Sequence, residues 1–206
     1  MLKIWGRTDS SNVQKVLWCC GEAGLEFNRV DWGGKFGGNK DKAYRDMNPN
    51  GLVPTIQDGD FVLWESNSIM RYLVEKYGRG TLLPPTPEGR ANANRWMDWQ
   101  LSTFNPIIVP LFFATIRTPA DKRDPKTIEA ALGKCSEAWR IVDDHLGGNK
   151  YLAGDEFSIG DIPLGVWAHR WFNLPVERPK QKNLSAWYER LTQRKPYQTY
   201  IMIPVT

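Results

Sequence analysis

The sequence predicts a small α/β half over residues 1–80 and an all-helical half over residues 87–206. Three observations carry that prediction. The first half reads strand, helix, strand, then hairpin and helix. Pro84-Pro85-Thr86-Pro87 is a stiff run that neither a helix nor a strand can cross. Every periodic segment beyond it repeats at helical spacing.

Residues 2–6 alternate into a short strand. Ser10-Ser11-Asn12 then supplies helix-start residues ahead of Val13, Val16, Leu17, Cys20 and Gly24, which share one helical face. Residues 26–30 read as a second strand and complete a β-α-β unit. A loop with Gly33, Gly34, Gly37 and Gly38 leads to a short polar helix at 42–47. Residues 55–57 and 61–63 flank Asp58-Gly59, a hairpin turn signal, and 67–77 is helical. In the second half the spacing predicts a helix over 89–104, with Pro106 and Pro110 kinking or breaking the path that follows. Residues 127–146 form an amphipathic stripe ended by Gly147-Gly148. Ser158-Ile159-Gly160-Asp161 is a capping box before a helix over 162–172, which makes Asp161 structural. A last helix over 183–194 is stopped by Pro196.

Composition excludes several classes of function. The net charge of +4 is mild and its Lys and Arg residues are scattered, which argues against a nucleic-acid partner. No apolar run approaches the roughly 18 residues that a membrane span requires, so no membrane partner is expected. The N-terminus reads as a strand where a signal peptide would be apolar, and the expected location is cytoplasmic. Three cysteines, two of them adjacent, make a poor disulfide framework and fit a reducing compartment. With two histidines and no HExxH or CxxC spacing, no metal site is expected.

The motifs that carry chemistry lie in the first half. Val53-Pro54 stands at the mouth of a strand, where a cis bond would leave the Val53 backbone open to an extended peptide. Glu65-Ser66 offers a carboxylate for an ammonium and a helix-start hydroxyl for a carboxylate. Together they suit a small zwitterionic peptide.

Four stretches, in this order and spacing, make the chain resemble the cytosolic glutathione S-transferases, bacterial theta-like members in particular. They are Ser10-Ser11-Asn12-Val13, Met47-Asn48-Pro49-Asn50-Gly51-Leu52-Val53-Pro54, Trp64-Glu65-Ser66-Asn67 and Asp155-Glu156-Phe157-Ser158-Ile159-Gly160-Asp161. The resemblance runs nearly end to end. It implies a thioredoxin-like first domain, a helical-bundle second domain, a homodimer, and a detoxifying transferase that joins glutathione to small electrophiles. Glutathione would be a co-substrate, with no permanently bound cofactor. The resemblance also implies roles for individual residues. Val53, with its cis partner Pro54, would pair with the cysteine of glutathione, Glu65 and Ser66 would hold its γ-glutamyl end, and Asn39 or Lys40 would meet its glycine end.

The sulfur's partner falls within Ser10, Ser11 and Asn12, with Ser10 ranked ahead of Asn12 and then Ser11. A free thiol has a pKa of about 8.5, and the thiolate is the nucleophile. One hydroxyl hydrogen bond to a charged acceptor supplies about 1.5–3 kcal/mol, enough for one or two pKa units. If Ser10 is the N-cap, its oxygen is partly committed to the helix backbone, which would turn Ser11 or Asn12 towards the sulfur. Arg7 reads as a solvated loop cation. Cys19 and Cys20 lie roughly 10–13 Å farther along the helix at 1.5 Å per residue, which disfavours a cysteine-centred redox mechanism. The alternatives are a glutathione-dependent disulfide reductase or peroxidase, and a non-catalytic binding protein. Trp96, Trp99, Phe104, Phe112, Phe113 and Arg117 are the candidates for a second-substrate pocket.

Overall fold

The computed structural model describes residues 1–78, 80 and 82–206. Its first half is a four-stranded mixed sheet flanked by helices. β1 (Leu2–Trp5) runs parallel to β2 (Phe27–Val30), joined by α1 (Ser11–Ala23), with Leu2 opposite Phe27 and Trp5 opposite Val30. After α2 (Lys42–Met47), β3 (Thr55–Asp58) pairs antiparallel with β1 and β4 (Phe61–Trp64) pairs antiparallel with β3. The strand order is therefore β2-β1-β3-β4, and α3 (Ser66–Tyr77) packs beside α1. This is the thioredoxin-like arrangement that the resemblance implied.

The hairpin lies one residue beyond the turn read from Asp58-Gly59. Asp58 pairs with Phe61, so Gly59 and Asp60 make the loop, and Gly59 takes the left-handed φ of 62° that its first position requires. Asp58 Oδ2 then accepts from the Tyr72 and Tyr77 hydroxyls at 2.7 Å and from Lys76 Nζ at 2.9 Å. Those bonds tie the hairpin to the far end of α3.

The second half is helical. α4 (Pro87–Trp99) opens with Pro at its first position and Thr86 Oγ1 accepting from the Gly89 N–H. A π turn over Gln100–Phe104, α5 (Asn105–Phe112) and a second π turn over Phe113–Arg117 follow without interruption. Pro106 and Pro110 were expected to kink or break this path, and they do not end it. Pro106 stands just past the first π turn, whose wider hydrogen-bond spacing accommodates a residue that cannot donate to the preceding turn. The resulting run from Pro87 to Arg117 is long enough, with a mean hydropathy of 1.2 in its most apolar window, to cross a membrane by length and composition alone. Here its apolar face, including Met97, Phe104, Ile108 and Leu111, is buried in the core.

α6 (Pro125–Leu146) is capped by the Asp124 carboxylate, which accepts from the Lys126 and Thr127 N–H groups at 3.2 Å. α7 (Asp161–Asn173) begins at the expected capping box. The Ser158 N–H donates to Asp161 Oδ2 at 3.0 Å, while the Leu152 N–H and the Trp187 indole reach Oδ1. Burial pushes the Asp161 carboxyl up to about 6 against those three donors. α8 (Lys182–Thr192) is followed by α9 (Lys195–Tyr200), which the sequence reading missed. Pro196 does not stop the preceding helix; it lies in the opening turn of the next one, where its missing N–H has no consequence.

The two halves share a continuous interface. Gly165 on α7 presents no Cβ to Trp18 of α1, where an added one would lie 2.7 Å from the indole. The Trp18 ring is fully buried against Phe157 and Tyr197, and Arg194 holds Glu22 with two 2.7 Å contacts.

Candidate active site

Three loops converge beside α1, one leading into β3 and two at the starts of α3 and of α1 itself. The first carries Val53, whose bond to Pro54 is cis. Asn48, buried at the end of α2, fixes this loop. Its Nδ2 donates to the Leu52 carbonyl at 2.8 Å and to Thr55 Oγ1 at 3.0 Å, and its Oδ1 accepts from the Asn50 N–H. The Tyr44 hydroxyl donates to the same Leu52 carbonyl at 2.7 Å. Among the described residues, no backbone hydrogen bond engages the Val53 N–H or C=O. The β1–β3 ladder ends at Thr55, so this strand edge is open to an extended ligand.

Glu65 and Ser66 form the second loop. Glu65 adopts a left-handed φ of 71°, alone in this among the described non-glycine residues. Such backbone strain of about 1–3 kcal/mol is held at sites where geometry matters to a ligand. Glu65 stands at the N-cap of α3 without a capping side-chain bond, which leaves its exposed carboxylate clear of the helix backbone. Ser66 is buried, and its hydroxyl donates to Asn12 Oδ1 at 3.3 Å.

That contact leads to the third loop, the start of α1. With Oδ1 taken by Ser66, the amide group of Asn12 retains Nδ2 as a donor for a ligand. Ser10 is the N-cap by backbone position, yet its side chain makes no capping hydrogen bond. The competition foreseen for its oxygen is therefore absent, and Ser10 Oγ can donate to an anion near the helix start.

Asn12 lines two recesses. A small one is formed with Val53, Pro54, Glu65 and Ser66. The other has a volume of about 570 Å³ and runs between the two halves. Ser10, Ser11 and Asn12 meet Val109, Phe112 and Trp167 across it. Phe113 and Arg117 also line it, as expected, with Phe113 exposed at its rim.

Trp96, Trp99 and Phe104 do not line this cavity. Trp96 is buried and packs edge-on against Trp99 at 5.5 Å; Trp99 in turn packs on Phe104, and Phe104 on Trp139 at 4.7 Å. These rings are core between helices, because the faces they occupy on α4 and its π turn point to α6 and α7. Arg7 departs from its reading in the opposite direction. It is half-buried, pairs with Asp9 at 3.1 Å and lines the cavity.

The comparisons with known proteins agree with this geometry. Residues 9–76 match the family model for the glutathione S-transferase N-terminal domain, and residues 104–195 match that for the C-terminal domain. The chain belongs to the glutathione S-transferase family. Its relatives include glutathione S-transferase GstB of Escherichia coli K12, 38% identical with 100% of each chain covered. Glutathione S-transferase 3 of Zea mays is 32% identical, covering 99% of this chain and 95% of the relative. A crystal structure of the theta class glutathione S-transferase from Xanthomonas axonopodis pv. citri with glutathione bound superposes with a TM-score of 0.95. It is 48% identical and covers 100% of this chain and 99% of its own.

Other expected site residues of this transferase fold fall elsewhere. Asn39 Nδ2 donates to the Gly51 carbonyl, so its side chain braces the Val53 loop from behind. Lys40 is exposed, and neither residue lines either recess; Lys35 and Gly34 from the same loop do. Cys19 and Cys20 are fully buried, with Cys19 pushed well above the ordinary thiol range and Cys20 to about 12 by burial. Arg170, on α7, is a contributor with no local signal in the sequence. Its guanidinium donates to Gln14 Oε1 at 2.6 Å and to the Asp9 carbonyl at 2.9 Å, fixing the approach to α1 from the second half. Burial pulls it down to about 10; Asp9 opposes that shift, while Arg117 and Arg7 reinforce it.

Proposed function

We infer that the protein is a glutathione transferase that holds glutathione on the first half and joins its thiolate to an electrophile in the cavity between the halves. One observation supports this best: Asn12 lies at the junction of a small recess beside an open strand edge and a larger, partly aromatic cavity. A sulfur at that junction faces Ser10 Oγ, the Asn12 amide and the free N–H groups of α1. The γ-glutamyl end would reach Glu65 and Ser66, and the cysteine backbone would pair with Val53. Burial of Cys19 and Cys20 removes the thiolate that a cysteine-centred reductase would need.

The test is the ultraviolet absorbance of bound glutathione across pH. The thiol pKa is expected one to two units below its free value of about 8.5, and Ser10→Ala is expected to return most of that shift. An unshifted thiol in the wild-type protein, or an absence of binding, would remove the reading.

The same reading extends to a cytoplasmic homodimer. Buried, unpaired cysteines suit a reducing compartment, and Leu52, Phe61 and Leu101 leave apolar surface exposed for a second copy. Sedimentation equilibrium should return twice the chain mass of 23.6 kDa, and a monomer at micromolar concentration would exclude the dimer.

A further inference from the structure

The larger cavity carries more positive charge than a pocket for neutral electrophiles needs. Arg7, Lys35, Arg117 and Arg170 all line it, against one carboxylate, that of Asp9. Asp9 is already paired with Arg7. Among the described residues, Lys35, Arg117 and Arg170 form no ion pair. Arg170 is buried with its hydrogen bonds on neutral acceptors, and the Asp9 carboxylate that acts on it is shared with Arg7, so its charge is compensated only in part.

The arrangement of the rings sharpens the point. Phe112 has two guanidiniums over it, Arg117 at 5.8 Å and Arg170 at 5.6 Å, and Arg170 also lies 5.4 Å from the Trp167 ring. Cation–π contact holds these groups beside an aromatic wall without consuming their hydrogen-bond donors. Like charges kept this close raise one another's energy, as the repulsion from Arg117 and Arg7 on Arg170 indicates. An anion entering between them would relieve that repulsion, and a flat ring would fill the apolar side. A cavity of about 570 Å³ holds one or two aromatic rings.

We propose that the preferred second substrate is an aromatic electrophile bearing a carboxylate or sulfonate, its ring on Phe112 and Trp167 and its anion between Arg117, Arg170 and Arg7. This rests on the transferase reading and specifies its substrate class. The reaction balances without a further reactant. The glutathione thiolate forms a carbon–sulfur bond at the halogen-bearing ring carbon, and halide leaves with the bonding electron pair.

The experiment compares a chloronitrobenzoate with its neutral carboxamide, each kcat/KM divided by the uncatalysed rate with glutathione, and includes chlorodinitrobenzene as an uncharged reference. The expected result is a preference of about tenfold for the carboxylate, falling as salt is raised. Arg117→Gln, at an exposed side chain without an ion pair, should shrink that preference by about fivefold. Turnover of chlorodinitrobenzene with no preference between acid and amide would overturn the proposal and leave the transferase reading intact. A preference that survives Arg117→Gln undiminished would overturn it as well. So would a raised KM for glutathione with an unchanged acid-to-amide ratio, since the arginine would then serve the carboxylate of glutathione itself. If none of the three compounds reacts and glutathione does not bind, the transferase reading fails with it.

Discussion

At Lys15 a charge is buried in the middle of α1, one turn beyond Ser11. The side chain is 1% exposed, and its Nζ donates to Gln100 Oε1 at 2.8 Å across the interface. Burial lowers its pKa from an ordinary 10.5 to about 7, with nearby Glu65 opposing the shift and Arg170 adding to it. A base whose folded pKa is depressed stabilises the fold fully above its unfolded pKa, and that contribution is lost as pH falls through the folded value. Stability should therefore decline from pH 10.5 towards pH 7 on account of this one group. Lys15→Met removes the ionisable group and keeps the apolar stem. Its advantage over the wild type in urea unfolding should be larger at pH 6 than at pH 9 by about 2–3 kcal/mol. An equal difference at both values would show that Lys15 titrates normally. No sequence pattern announced this residue, because a lysine on an amphipathic helix is ordinarily read onto its wet face and α1 has none at this level.

Elements were legible where their signals are local. The β-α-β unit, the Asp58-Gly59 hairpin and the Ser158–Asp161 box each follow from residues within a few positions of one another, and each formed within one or two residues of the expected place; the helices expected from 89 and 127 start two residues earlier, on the Thr86 and Asp124 caps. The convergence of Ser10 to Asn12, Val53-Pro54 and Glu65-Ser66 beside α1 was legible for the same reason, since each is a contiguous motif. Pro106, Pro110 and Pro196 do not end a helix where the reading allowed for it. Pro106 follows a π turn and Pro196 lies at a helix start, two places where a missing N–H is tolerated, while Pro110 is carried inside α5. The cavity between the halves resisted inference because residues distant in sequence assemble it. Arg170 reaches the Asp9 carbonyl from 161 residues away, and only the packing of α7 on α1 brings them together. The same packing decides which tryptophans face the cavity. Trp167 lies on the α7 surface turned towards α1, whereas Trp96 and Trp99 lie on α4 surfaces turned into the bundle.

On the scale of the molecule, the two halves share one packed core, despite the proline-rich run between them. Positions 13 to 20 of α1 are all buried, so this helix has no exposed side along that stretch. α3 covers part of it, while α7 and α9 of the second half cover another part. Separating residues 1–80 would expose Trp18, Gln14 and Lys15, and would break the Arg194–Glu22 and Arg170–Gln14 contacts. Burial of one large aromatic side chain stabilises by about 1.5–3 kcal/mol, and each lost charge-assisted hydrogen bond adds about 1.5–3 kcal/mol. A unit of that size has only roughly 4–12 kcal/mol of stability in total. These losses together are of the same order, so the isolated segment 1–80 should lack a cooperative thermal transition by far-ultraviolet circular dichroism. The intact chain should unfold in one step, with tryptophan fluorescence and circular dichroism giving the same midpoint. Two separated transitions, or a fragment that melts sharply by itself, would show that α1 is held by its own half and that the cavity between the halves can open without unfolding.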